Sequence, residues 1–311
     1  MYNKTMKKIS VLLLLALLSG HFAQLPCQAG FLAEQKNKIE QKKIFKSTQQ
    51  DIETIIKTQN KFANEHNIKG LMSLYCDDFV TSDGFGKDIY EKLIEETWET
   101  YSDITYKTEI KNINFSDNYA TVLVFETSVA TQKEEFEGNE IFGELNAVSK
   151  CVYYLEKHGS KWFLSSEKII EEITTLKYGD TRFFNIQLNA PKQIGSNKYY
   201  TATLKTDIPN GYITIGSIGK ENIVYPQTKM DEAFRRLSDD NILERVFLSN
   251  NNSINEYIVA SVAVTHPPEY TKDGQIKIYM GGLAFIMTRV NVIPENKFVK
   301  FEQKEDKDGK I

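Results

Sequence analysis

Between Ile104 and Lys177 the apolar residues of this chain recur at every second position, whereas between Asp51 and Tyr101 they recur at every third or fourth. That change of period constrains the fold more than any other feature. A helix-patterned segment cannot keep its apolar face buried as a strand, nor the reverse. The earlier part predicts three helices. The first starts at Ser47, which forms a capping box with Gln50, and closes on Asn67 as a left-handed cap. The second is brief, places Leu71, Leu74 and Tyr75 on one face, and runs into Asp77-Asp78. The third covers Lys87 to Tyr101, with the stripe Ile89, Leu93, Ile94, Thr97 and Trp98. The later part predicts two long hairpins, Ile104–Phe115 with Tyr119–Thr131 and Glu140–Lys157 with Lys161–Lys177. They turn at Ser116-Asp117-Asn118 and His158-Gly159-Ser160. Strands of this length are expected to bend or carry bulges. The acidic tract Glu134–Gly138 is expected to be a solvated loop between the hairpins.

Three helices with one apolar face each cannot bury it alone, and a four-stranded sheet has a face to offer. Packing them together gives an α+β cone with an end that can stay open. Along Tyr119–Thr131 both faces are apolar: Tyr119, Leu123, Phe125 and Val129 on one, Ala120, Val122 and Val124 on the other. One face meets the helices, and the other calls for a partner, either a second copy of the chain or its own C-terminal half.

From Gly179 short strand patterns follow one another: Phe183–Asn189, Lys198–Thr206, Tyr212–Ile218, Tyr257–Thr265 and Ile276–Val292. Met230, Ala233, Phe234 and Leu237 have helical spacing and predict one inserted helix. Gly281-Gly282, inside a strand pattern, predicts a bulge. This half resembles only a generic immunoglobulin-like sandwich. The expected fold is therefore an α+β cone, three helices on a curved antiparallel sheet, followed by an all-β immunoglobulin-like sandwich. The expected boundaries are 47–178 for the cone, 179–301 for the sandwich and 302–311 for a charged, disordered tail.

The first 29 residues read as a secretory signal. Lys4, Lys7 and Lys8 precede the apolar core Ile9–Leu18, too short to cross a bilayer, and Cys27-Gln28-Ala29 is a small-x-small cleavage site. A rival reading acylates Cys27 as a lipoprotein, but Gln24-Leu25-Pro26 matches that signal poorly. Residues 30–46, rich in Lys and Gln, read as a tether or a helical lead-in. Cleavage removes three of the 38 basic residues and none of the 42 acidic ones, taking the net charge from −4 to −7. Nucleic acid and anionic membrane are thereby disfavoured as partners, and a secreted or periplasmic protein, soluble after cleavage, is expected. Cys76 and Cys151 are too few to frame a fold with disulfides, and free, half-buried thiols are the plainer expectation. No histidine is spaced with another ligand as a zinc motif requires, so no metal is expected, and nothing calls for a cofactor.

The passage FANEHNIKGLMSLYCDDFV, the third-helix segment and the closing hairpin YYLEKHGSKWFLSSEKI resemble the nuclear transport factor 2-like superfamily, in particular its SnoaL-like and ketosteroid-isomerase-like branches. The resemblance covers residues 48–177 and implies the cone fold. In its enzyme members an acid, histidine or tyrosine inside the cone moves protons. Tyr75, His66, Asp77, Asp78, Asp83, Tyr101 and Tyr153 are the residues of those types to weigh. The acids after a short helix have a plainer role in capping the turn, and His66 one in meeting a helix C-terminus. No catalytic residue is therefore assigned. Ala147, Ser149, Cys151, Tyr153 and Leu155 share one strand face with small residues where a pocket needs them. The expected pocket residues are Tyr75, Asp78, Trp98, Tyr101, Ser149, Cys151 and Tyr153. The expected role is non-catalytic: binding a small apolar or amphipathic ligand, or a protein partner, with a homodimer forming through the outer sheet face. The alternatives are a cofactor-free acid–base isomerase, dehydratase or cyclase, and a purely structural dimerisation module. A buried carboxylate in an open cone would favour the enzyme.

Overall fold

The computed structural model describes residues 25–136, 139–209, 211–227, 234–238 and 240–294. The signal core, most of the segment expected to be an inserted helix (228–233) and the charged tail lie outside the described residues. The chain divides into two compact units, Met1–Thr54 and Ile55–Ile311. Helix α1 (Leu25–Asn64) gives its first part to the former and residues 55–64 to the latter. The segment read as a tether or a helical lead-in is helical, and the helix does not start at the Ser47 capping box. The stretch 31–46 is rich in Lys, Glu and Gln, good helix formers, and holds no Gly or Pro, so nothing in it stops the helix.

Helix α1 closes one residue earlier than its cap was expected. His66 takes the left-handed conformation at φ 50°, and Asn67 N–H reaches back to the Phe62 carbonyl at 3.0 Å. Asn67 instead starts α2 (Ile68–Met72), its side chain accepting from Gly70 N–H at 2.9 Å. The second correction follows at once: Tyr75 and Asp77-Asp78 lie not on or after a helix but on strand β1 (Tyr75–Thr81). Its burial does not alternate strictly: the neighbours Tyr75 and Cys76 are buried, Asp77 and Asp78 are both exposed, and Phe79 is buried again. Helix α3 (Lys87–Thr100) is as expected and buries Trp98.

Strands β2 (Thr105–Ser116), β3 (Tyr119–Phe136), β4 (Asn139–His158) and β5 (Lys161–Gly179) form an antiparallel meander. The tract Glu134–Phe136 extends β3 instead of looping out, pairing with Asn139–Ile141. Further on come β6 (Ile186–Asn189), β7 (Gln193–Gly195), β8 (Tyr199–Thr206), β9 (Ile213–Asn222) and β10 (Arg235–Arg236). They are followed by β11 (Ile242–Leu248), β12 (Glu256–Thr265), β13 (Glu269–Tyr270), β14 (Ile276–Lys277) and β15 (Met280–Ile293). Arg235–Arg236, at the end of the expected inserted helix, pair as a strand with Ile215–Gly216. The sequence reading contained neither β7 nor β11.

One large, mostly antiparallel sheet runs in the order β10-β9-β12-β15-β5-β4-β3-β2, with β1 added parallel to β5 and β7 parallel to β15. The junction is β15 on β5, from Gly282 opposite Gly179 to Thr288 opposite Ile173. The sheet is therefore continuous from the meander into the C-terminal half. There a second sheet, β11-β8-β6, faces β9, β12 and β15 across a core that includes Leu204, Phe247, Ile258, Val262 and Ile286. The other face of the meander exposes Phe125, Val129, Val148, Tyr154 and Ile173. Cys76 and Cys151 are buried and unbridged.

The glycine pair forms the expected bulge: Gly282 opposes Val264 while Met280 opposes Thr265. A Cβ on Gly282 would lie 2.6 Å from the Tyr178 carbonyl oxygen and 2.8 Å from the Thr181 nitrogen, both backbone atoms that cannot swing aside. Gly282→Ala is expected to cost about 1–3 kcal/mol by overpacking, measured as a lower urea midpoint with an unchanged slope.

Candidate functional site

The register of the meander sets side chains in rows. Thr108 on β2 opposes Glu126 on β3, Glu126 opposes Ser149 on β4, and Ser149 opposes Glu172 on β5. A neighbouring row runs Tyr106, Ser128, Ala147, Thr174. These rows wall a cavity of about 190 Å³, whose opposite side comes from residues 55–64 of α1, from α2 and from α3. The helices supply Gln59, Leu71, Tyr90, Ile94 and Trp98, and β1 supplies Tyr75.

Glu126 is the hub. It accepts from the Tyr153 hydroxyl, from Ser149 Oγ at 3.4 Å, from Cys151 Sγ at 3.5 Å and from Thr108 Oγ1 at 3.5 Å. A second carboxyl, Glu167, lies close behind: carboxylate atoms of Glu126 and Glu167 and the Cys151 sulfur all fall within 4.8 Å of one another. Glu167 is 6% exposed and takes a 2.7 Å hydrogen bond from the Tyr90 hydroxyl. Burial first, and the Glu126 charge second, push its carboxyl up to about 8, so at neutral pH it holds a proton. The third carboxyl, Glu172, is raised by burial, against which Tyr257 donates to it at 2.9 Å and Arg289 lends its positive charge. Both partners come from the C-terminal half: Tyr257 opposes Arg289 across β12 and β15. Arg289 in turn is paired with Asp83 at 2.5 Å.

Burial and the neighbouring carboxylates hold the Tyr75, Tyr90 and Tyr153 phenols above the ordinary tyrosine range. The same two causes raise the Cys151 thiol. It therefore stays protonated, a donor to Glu126 and Ser149 and a poor nucleophile. The group Glu126, Cys151 and Glu167 has the spacing of metal ligands, but that protonated thiol and the absence of a histidine make it a weak donor set. Gln59 ties the helix side to the strand side through Nε2, 2.8 Å from the Tyr75 hydroxyl and 3.4 Å from that of Tyr153. Its carbonyl oxygen is buried without any partner. Trp98 donates to the Tyr106 hydroxyl at 3.1 Å and is stacked by His66 at 4.8 Å.

Of the residues expected to form a pocket, Tyr75, Trp98, Ser149 and Tyr153 line this cavity. Cys151 sits beside it, hydrogen-bonded to two groups at its edge. Asp78 and Tyr101 do not line it: Asp78 is on the exposed side of β1, and Tyr101 caps the end of α3. His66, weighed as a proton carrier, contacts the outer side of the site through its stack on Trp98. The residues that sequence reasoning missed are Glu126, Glu167, Glu172, Gln59 and Tyr90.

No family model matches the chain, and neither does any curated protein. Solved structures do. Bd1075 of Bdellovibrio bacteriovorus aligns at 12% identity and TM-score 0.31, over 39% of this chain and 39% of that one, well under half of its length. Hexachlorocyclohexane dehydrochlorinase LinA-type3 of Novosphingobium barchaimii aligns at 15% identity and TM-score 0.32, over 40% and 85%. A Streptomyces avermitilis protein of the NTF2-like family aligns at 10% identity and TM-score 0.29, over 39% and 95%. The similar structures thus include NTF2-like proteins, matched over about two-fifths of this chain.

Proposed function

We propose that residues 47–178 of this exported chain form a SnoaL-like cone that works as a cofactor-free general acid–base enzyme, with the C-terminal half an immunoglobulin-like sandwich that backs it. The observation that carries this reading is the pair Glu126 and Glu167, two carboxyls within 4.8 Å of each other, Glu126 lining the cavity and Glu167 buried behind it with its proton kept to about pH 8. Non-catalytic binding was the expectation from sequence because no acid–base constellation could be read there, and the pair supplies one. A carboxyl that faces the cavity beside a buried one that keeps its proton offers a base and an acid.

The reaction that fits is enolisation of a carbon acid, leading to isomerisation or to elimination. Glu126, facing the cavity, takes the proton from a carbon next to a carbonyl. The C–H electron pair becomes a C=C bond, and the carbonyl π pair moves to oxygen. That oxygen takes a proton from the Tyr90 hydroxyl. For this the hydroxyl turns from Glu167, to which it donates at 2.7 Å, toward the oxygen, and the Glu167 carboxylic acid then donates in the opposite sense and reprotonates the phenolate. Returning the proton to another carbon isomerises the substrate, and losing a β-hydroxyl as water dehydrates it.

Exchange of α-hydrogens for deuterium tests the first step without knowledge of the substrate. Cyclohexanone and phenylacetone in D2O, followed by proton NMR, are expected to exchange at least tenfold faster with the protein than with buffer. Glu126→Gln should remove that acceleration while leaving the thermal midpoint near wild type. Background exchange with the wild-type protein would overturn the reading.

A further inference from the structure

We propose that the cavity takes a small organic cation, a protonated amine on an apolar stem. The inference names the ligand class of the site proposed above and rests on that cavity being the functional one. Three independent features converge on it. The first is charge. Glu126 and Glu172 line the cavity, and among the described residues no lysine, arginine or histidine does. The nearest guanidinium, Arg289, is buried and committed to Asp83. An anionic ligand would meet two carboxylates with no cation to receive it, whereas an ammonium would be attracted to both.

The second feature is aromatic. Tyr75, Tyr90, Tyr106 and Trp98 line the cavity from its helical and its strand side, and aromatic rings attract cations. Tyr75 and Tyr90 are already set against each other at 5.6 Å between centroids, a preformed corner that needs no rearrangement. Third, Gln59 is 8% exposed, lines the cavity and holds one end of its amide with no partner. An unpaired buried carbonyl carries an uncompensated desolvation cost. A ligand that brings N–H groups removes that cost, and one that brings only acceptors does not.

Size narrows the class further. A cavity of about 150 Å³ holds a benzene ring, so one of about 190 Å³ holds a ring with a short chain. The groups around Glu167 agree with a cationic visitor. It is faced by Glu126, Cys151 and Tyr153 from the strands, by Tyr75 from β1, by Tyr90 from α3, and by Glu172 and Asp83, with Arg289 beyond them. Negative groups outnumber positive ones in that shell, a field that favours a cation and adds to burial in keeping Glu167 protonated.

Calorimetric titration of the full chain at pH 7 with 2-phenylethylamine, 2-phenylethanol and phenylacetate compares three probes of one shape and different charge. The amine is expected to bind at least tenfold more tightly than the alcohol, with phenylacetate weakest. Glu172→Gln, checked to be folded by circular dichroism, should weaken the amine about tenfold and leave the alcohol unchanged. Alcohol and amine of equal affinity, a preference for phenylacetate, no saturable amine binding at millimolar concentration, or an amine affinity untouched by Glu172→Gln would each overturn the proposal. Since the exchange assay uses neutral ketones, amine preference can fail while α-exchange stands, and the reverse.

Discussion

Glu167→Gln is expected to be more stable than wild type at pH 9 and nearly equal to it at pH 4. The sign follows from proton counts. Unfolded, Glu167 ionises near its ordinary value of 4.5, whereas folded it keeps its proton to about 8. Between those two values the native state binds more protons than the unfolded one, so stability falls as pH rises, and it is fully present only below the unfolded value. One pH unit of difference corresponds to about 1.4 kcal/mol. Across the window the loss can reach a few kcal/mol, a large part of a typical folding free energy of about 5–15 kcal/mol. The glutamine keeps the shape and a hydrogen bond to Tyr90 but has no charge to desolvate. Urea unfolding of both proteins at several pH values checks this, and comparing the two cancels every other titrating group. Parallel pH curves for the two proteins would show that Glu167 is not held neutral. Glu126→Gln removes the second cause of the shift and should give an intermediate slope.

The same carboxyl shows how far the site could be read in the residues. The change of period at Ile104 marks the meander, since burying one face of a long strand demands strict alternation. All four strands lie where that alternation predicts them, and the face Ala147, Ser149, Tyr153 does wall the cavity. Glu126 was within reach too: it continues the inward run Ala120, Val122, Val124 by one step of two. Glu167 and Glu172 were not. Inward residues on β5 begin with Trp162 and Leu164, and the register then slips between Leu164 and Ser166 and again between Ile169 and Glu171. Each slip moves the alternation to the other parity, so an odd and an even glutamate both turn inward. Bulges on these strands were expected, but their positions depend on partner strands and not on the local pattern. β1 was missed for a related reason: Tyr75–Thr81 is short, carries two acids, and owes its place to parallel pairing with β5. The pairing of β15 with β5 joins residues more than a hundred positions apart, beyond any periodicity.

That long-range junction carries the other large effect. Arg289→Met is expected to cost about 3–5 kcal/mol, because it strands the Asp83 carboxylate in the interior. The Arg289 side chain is fully buried and that of Asp83 is 6% exposed, so solvent cannot compensate either charge. Asp83 would keep only its 2.7 Å hydrogen bond from Asn255. The intact pair, however, is not worth that much to the fold. Arg289 has one terminal nitrogen, Nη1, buried with no partner, so part of its desolvation goes unrecovered. Replacing both members, Asp83→Leu with Arg289→Met, should therefore restore most of the stability lost by the single variant. What the double variant should not restore is the site. With both gone, Glu172 loses the Arg289 charge that lowers its proton affinity and the smaller opposing effect of Asp83, so the carboxyl that Tyr257 holds shifts toward its neutral form. Normal stability combined with weaker amine binding in the double variant is the expected result. Unfolding curves and the phenylethylamine titration read the two effects separately. A double variant that remains as unstable as the single one would mean that the ion pair itself, and not the stranded charge, holds β15 to the segment after β1.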